Sequence, residues 1–173
     1  MYIRKPNRLK NFDYTLNMAY FVTICTYRRQ KLFGKIEDKK FSYYYKEVET
    51  LFDTCFKRLE ELYEGSEIMV YSTMPDHIHF IVKKSGYDKT LSDMIRSFKL
   101  SFIKLYNDLV RDNKAVPYSN SIWQKSFFEH IINGDKEFEE IYNYIVCNPQ
   151  EEWFKQYMKE LNKDKNRKLN DKN

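Results

Sequence analysis

The chain is expected to fold as an α+β domain of ferredoxin-like β-α-β-β-α-β type, with a further C-terminal helix carrying a tyrosine. Two long segments repeat apolar residues at three- and four-residue spacing, and four short ones are rich in β-branched and aromatic residues. Their order is strand, helix, strand, strand, helix, strand, helix, which folds as one antiparallel sheet with helices packed on one face. The other sheet face stays open for a site.

Each element has its own signal. Residues 19–27 (AYFVTICTY) read as a strand, followed by Arg28-Arg29-Gln30-Lys31 and by Leu32-Phe33-Gly34, a turn with an apolar anchor. Val48, Leu51, Phe52, Cys55, Phe56, Leu59 and Leu62 mark a helix over about 45–62, with Gly65 as its stop. Residues 67–73 and 77–82 read as an antiparallel hairpin joined through Met74-Pro75-Asp76. Leu91, Met94, Ile95, Phe98, Phe102, Leu105, Tyr106 and Leu109 define a second helix, with Thr90 as its N-cap. Residues 110–122 are a polar connector, and 123–132 give the fourth strand. Asp135 caps a third helix over about 136–147, and Pro149 ends it by pushing the preceding residue out of helical geometry.

The 173 residues are 42% hydrophobic and 17% aromatic, with four glycines and four prolines, so a packed domain is expected and low complexity is excluded. Residues 1–155 are read as that single domain and 156–173 as a basic, polar tail. No apolar run reaches the roughly 18 residues that span a bilayer, and the basic N-terminus lacks the apolar core of a signal peptide. A cytoplasmic protein is expected. Cys25, Cys55 and Cys147 have no paired spacing and read as buried free thiols, not a zinc site or a disulfide framework. Residues 1–40 hold ten Lys/Arg against three Asp/Glu, interleaved with aromatics, a composition suited to a phosphate backbone and stacked bases.

Two of the three histidines, His77 and His79, stand one residue apart in an expected strand, so both imidazoles share a face while Ile78, Phe80 and Val82 take the other. The third helix offers Tyr144 and Asn148 on one stripe with Ile141 and Glu137. Laid across the open face, that helix would bring Tyr144 and Asn148 to the histidines. Two imidazoles and an amide oxygen suit Mg²⁺ or Mn²⁺ better than a closed zinc site. Such an ion is a Lewis acid toward a phosphodiester, and a tyrosine oxygen beside it is a candidate nucleophile. Asp76, Glu137 or a lysine could take the phenol proton. Spacing alone does not select Tyr144 over Tyr142, nor a metal role over a structural one for the histidines.

The run MPDHIHFIV at 74–82 resembles the histidine-hydrophobic-histidine motif of single-tyrosine HUH nucleases. With YFVTICTYRRQKLFG at 20–34, IRSFK at 95–99, IWQKSFFEHII at 122–132 and YIVCNP at 144–149, the chain is similar to the REP-associated tyrosine transposases of the IS200-like family. The resemblance covers about residues 1–155. It implies His77, His79 and Asn148 as metal ligands and Tyr144 as the nucleophile of single-strand DNA cleavage and rejoining through a 5′-phosphotyrosine. It also implies an imperfect DNA hairpin as partner and a monomeric or homodimeric enzyme. On charge and placement, Arg4, Lys5, Arg8, Arg28, Arg29, Lys31, Arg96 and Lys99 are candidate phosphate contacts. Trp123 reads as a buried or a base-stacking ring, and His130 as a local hydrogen-bonding residue. The competing readings are a non-catalytic nucleic-acid-binding module and a phosphodiesterase that activates water.

Overall fold

Alternation of apolar and polar side chains builds a four-stranded sheet whose two faces are both covered. A computed structural model describes residues 18–38, 40–84 and 89–147. The sheet consists of β1 (Met18–Cys25), β4 (Glu67–Met74), β5 (His77–Lys84) and β6 (Phe128–Ile131), in spatial order β4-β5-β1-β6 with every pair antiparallel. A small hairpin of β2 (Gly34–Glu37) and β3 (Lys40–Tyr43) stands apart from it. The helices are α1 (Lys46–Leu62), α2 (Leu91–Arg111) and α3 (Asp135–Cys147). Setting the hairpin aside, the order is the expected β-α-β-β-α-β with a third helix after it.

One face of the sheet carries Tyr20, Val22, Ile24, Ile78, Phe80 and Val82, and α1 and α2 close over it with Phe52, Phe56, Phe98 and Phe102. Phe33 enters the same core edge-on to Phe52, at a centroid distance of 5.1 Å. Trp123 is buried there too, 4.9 Å from Phe102, which settles its expected alternatives in favour of the core. α2 begins where Thr90 and Asp93 form a reciprocal capping box, so the expected N-cap is realised. Burial of these aromatic rings is the main stabilising term, because each removes a large apolar area from water.

Three expectations need revision. The stretch read as a turn at 32–34 opens the β2–β3 hairpin, which the 4-residue strands and their charged, exposed side chains had hidden. The fourth strand is shorter than 123–132: Trp123 turns into the core and regular pairing begins only at Phe128. Of the cysteines only Cys55 is buried, whereas Cys25 is half-buried and Cys147 exposed. The expected helix end at Pro149 and the tail at 156–173 lie outside the described residues.

Gly34 is required by close approach. A Cβ there would stand 2.1 Å from the Ser42 carbonyl oxygen and 2.7 Å from the Phe41 ring. Because the nearer atom is backbone, relief means moving the paired strand. Gly34→Ala is therefore expected to cost about 2 kcal/mol, within the range for overpacking, measurable by urea unfolding.

Candidate metal and tyrosine site

The second face of the sheet carries the site. On β5, His77 and His79 both project to this face, and β1 presents Cys25 opposite His77 and Thr23 opposite His79. α3 lies over the same face, seated by Ile141, Tyr144 and Ile145 against Phe21, Ile81 and Ile132. His79 is 2% exposed. Its ring stacks on Phe21 at 5.5 Å and 23°.

The Nε2 atoms of His77 and His79 are 3.0 Å apart. Each ring is oriented through its other nitrogen: His77 Nδ1 lies 2.6 Å from Asp76 Oδ1, and His79 Nδ1 lies 2.8 Å from Thr23 Oγ1. Burial raises the Asp76 carboxyl, but the His77 bond and the nearby Arg29 charge outweigh it and hold the carboxyl below the usual range. An ionised carboxylate only accepts, so His77 carries its proton on Nδ1 and turns the Nε2 lone pair toward His79. Burial first, then any positive charge taken up by His77 and the nearby Arg29 charge, push His79 well below the ordinary histidine value, so its ring is neutral near pH 7.

Two imidazole nitrogens converging in this way fit a divalent cation. Ligands at about 2.1 Å that subtend a right angle lie ~3.0 Å apart, the spacing found here. The partners on the two Nδ1 atoms are the outer hydrogen bonds that fix tautomer and ring direction in histidine–metal sites. Among the described residues no group of three or more His, Cys, Asp or Glu gathers to hold a metal. The third expected ligand, Asn148, is an amide and lies outside the described residues.

Tyr144 completes the arrangement. It is 9% exposed, and its hydroxyl lies 3.3 Å from His79 Nε2. Tyr142, which spacing had left as a rival, is exposed and stacks on Phe138. Glu137, a candidate base, lies about two turns from Tyr144 and accepts from His130 and the Asn133 amide. Asp76 is committed to His77 and Arg29, whose Nε lies 3.5 Å from Asp76 Oδ2.

Arg29 stands beside the histidines because the backbone after β1 is forced round tightly. Arg28 and Arg29 have φ of 53° and 57°, the left-handed region that costs a side-chain-bearing residue about 1 kcal/mol or more. The turn is held by Thr26, whose hydroxyl donates to the Gln30 and Asp76 carbonyls, and by Gln30, whose amide donates to Tyr27. The Arg29 guanidinium also donates to Cys25 Sγ at 3.2 Å. Arg28, Lys31 and Arg96 are exposed, while Arg4, Lys5 and Arg8 lie outside the described residues.

Lys99 is half-buried, and its ammonium donates to the carbonyls of Gln124, Lys125 and Ser126 at 2.8, 3.4 and 3.3 Å. Burial pulls it down to about 8. These bonds brace the bend that leads into β6. Lys99→Met is expected to lower stability by about 2 kcal/mol, the worth of charge-assisted bonds whose acceptors lose their donor. Chemical denaturation measures it.

Thr23 and the Arg29–Asp76 contact escape sequence reasoning because both depend on cross-strand register. The signal was there only in part: a polar residue on an otherwise apolar first strand.

A family model described as "Transposase IS200 like" matches residues 14–148. A Haemophilus influenzae protein provisionally named a REP-associated tyrosine transposase is 26% identical over 151 residues, covering 86% of this chain and 79% of its own length. An uncharacterised protein of the same organism is 25% identical over 167 residues, covering 84% and 88%. The solved structure of a REP-associated tyrosine transposase bound to a REP hairpin covers 82% of this chain and 72% of its own, at 20% identity and a TM-score of 0.57, which supports the fold. The chain belongs to the IS200-like transposase family, and the role that membership gives it is that of a transposase.

Proposed function

We propose that this transposase cleaves and rejoins single-stranded DNA beside a hairpin, with Tyr144 as nucleophile and His77, His79 and Asn148 as holders of one Mg²⁺ or Mn²⁺ ion. The observation that carries the reading is the meeting of the Tyr144 hydroxyl, 3.3 Å from His79 Nε2, with a histidine pair whose Nε2 atoms are 3.0 Å apart. When bound, the ion supplies Lewis acidity toward a phosphate oxygen and charge for the pentavalent transition state.

The chain's own residues do the rest. α3 holds the phenol oxygen beside the histidines, where it attacks phosphorus. The P–O3′ bond breaks, the 5′-phosphate becomes esterified to Tyr144, and the departing oxygen takes a proton to give a free 3′-hydroxyl. The phenol, with an ordinary value of about 10, must lose its proton as the bond forms. With Asp76 and Glu137 committed elsewhere, a water takes the phenol proton, and a proton from water goes to the departing 3′ oxygen. One ester replaces another, so reversal by a new 3′-hydroxyl rejoins strands without an external energy source. Thr23 and Asp76 keep the imidazoles aimed, and the buried, stacked seat of His79 excludes water from one side.

The exposed guanidinium and ammonium groups of Arg28, Arg29, Lys31 and Arg96, with Arg4, Lys5 and Arg8, are the proposed phosphate contacts for a hairpin. Lys99 would join them only by giving up its carbonyl bonds. The catalytic unit is taken as residues 1–155, with 156–173 as its basic tail, and the DNA substrate places its work in the cytoplasm. No helix among the described residues is long and apolar enough to cross a membrane.

The test uses a single-stranded oligonucleotide carrying an imperfect hairpin from the DNA flanking the gene, with Mg²⁺ or Mn²⁺. A 3′ label should migrate with the denatured protein and a 5′ label should be released. Cleavage without an adduct would support the water-activating phosphodiesterase, and binding without cleavage the non-catalytic module.

A further inference from the structure

The face that bears His77 and His79 also carries a second polar pair that the reaction above leaves unused. His130 stands on β6 in register with Phe21 of β1, and the next residue on that face of β1, Thr23, is in register with His79. The His130 side chain is 6% exposed. Its Nε2 lies 2.7 Å from Glu137 Oε1, and Glu137 Oε2 accepts the Asn133 N–H at 2.5 Å. One carboxylate therefore ties the first turn of α3 both to the sheet and to the loop that enters the helix.

Burial would raise the Glu137 carboxyl, but the bonds from Asn133 and His130 outweigh it and hold the group below its usual range. It is an ionised acceptor in the first turn of a helix, where negative charge is favoured. Tyr144 follows seven residues later on the same stripe, about 10 Å along the axis. Glu137 thus touches none of the reacting atoms. Its influence runs through the helix.

The helix needs such a tie. The apolar seat of α3 rests on Ile141, Tyr144 and Ile145, whereas α1 and α2 share the much larger core on the other face. An element with few apolar contacts is among the first to open locally. Apolar packing also leaves rotation about the helix axis weakly fixed, and a short, charge-assisted hydrogen bond is directional. The 3.3 Å approach of Tyr144 to His79 depends on that rotation.

The geometry points to His130 and Glu137 as positioning residues that latch the tyrosine helix of this chain onto its own histidine face. The inference rests on the reading of Tyr144 as nucleophile. If α3 turns or lifts, the phenol leaves the histidines while the sheet and the arginines proposed as phosphate contacts stay in place. The latch thus acts on the chemical step and not on hairpin binding.

The test compares wild type with Glu137→Ala, Glu137→Gln and His130→Gln, all held well below their unfolding temperatures. Single-turnover adduct formation is followed on the 3′-labelled hairpin oligonucleotide with Mn²⁺, alongside hairpin affinity and amide hydrogen exchange. Glu137→Ala is expected to slow adduct formation about tenfold or more, since misplacing a reacting group by about 1 Å costs up to ~10²-fold. Hairpin affinity should be unchanged, and exchange should rise across 138–147 while α1 and α2 stay protected. His130→Gln keeps a donor for Glu137 and should recover most of the rate. Glu137→Gln gives a milder loss of the carboxylate should the alanine variant fail to fold, and should fall between the two. Wild-type rate with unchanged exchange in α3 would overturn the latch, as would exchange rising equally in α1 and α2. If wild type forms no adduct, the reading of Tyr144 fails, and the exchange data still decide whether the pair seats α3.

Discussion

Tyr144→Phe is expected to abolish covalent attachment to DNA while leaving the fold and hairpin binding intact. The substitution removes one oxygen from a residue that is 9% exposed and keeps the ring that packs edge-on to Phe21 at 6.3 Å. Volume and apolar burial are almost conserved, so the change in stability should be small. Catalysis loses the atom that would bond to phosphorus. Deleting a covalent nucleophile leaves only binding and charge stabilisation, and losses of at least ~10³-fold in rate are expected. A denaturing gel of the labelled oligonucleotide after a fixed time with Mn²⁺ reads the adduct, and thermal melting reads the fold. Tyr142→Phe serves as control, because that ring is exposed on another side of α3.

His77→Ala should remove divalent-metal binding and with it strand cleavage. The two Nε2 lone pairs converge at 3.0 Å, so either imidazole alone offers one ligand where the pair offers two. Outer-sphere changes at histidine sites cost about 10–100-fold in metal affinity, and loss of a direct ligand should exceed that. Asp76→Asn and Thr23→Val should fall in the milder range, because they disturb only the orienting bonds at the Nδ1 atoms. Mn²⁺ titration followed by electron paramagnetic resonance orders the three variants without reference to activity. His77 is the better choice than His79, which is buried and stacked on Phe21, so that its truncation would also open a cavity.

The sequence was informative wherever a pattern is local. The period of Val48, Leu51, Phe52, Cys55 and Phe56 located α1, Thr90 marked the start of α2, and the short link at Met74-Pro75-Asp76 joined β4 to β5. Alternation placed His77 and His79 on one face, and helical spacing put Tyr144 on the stripe of Ile141. What did not show was whatever depends on two distant segments meeting. The β2–β3 hairpin exists because Gly34 lets the Ser42 carbonyl approach, an event its charged residues do not announce. Thr23 reaches His79 only through the register of β1 with β5. Lys99 looked like a surface cation and instead braces three carbonyls of a bend, while Glu137, a possible base by its place on the stripe, is bound to His130.

Tyr144 as the point of covalent attachment to DNA is the claim on which the proposed mechanism depends. Peptide mapping by mass spectrometry tests it directly, on the adduct formed with a hairpin-bearing single strand and trimmed by nuclease. The expected product is a nucleotide 5′-phosphate ester on the peptide containing Tyr144, at that phenol oxygen. An ester on any other residue, or strand cleavage that leaves no modified peptide, would contradict it.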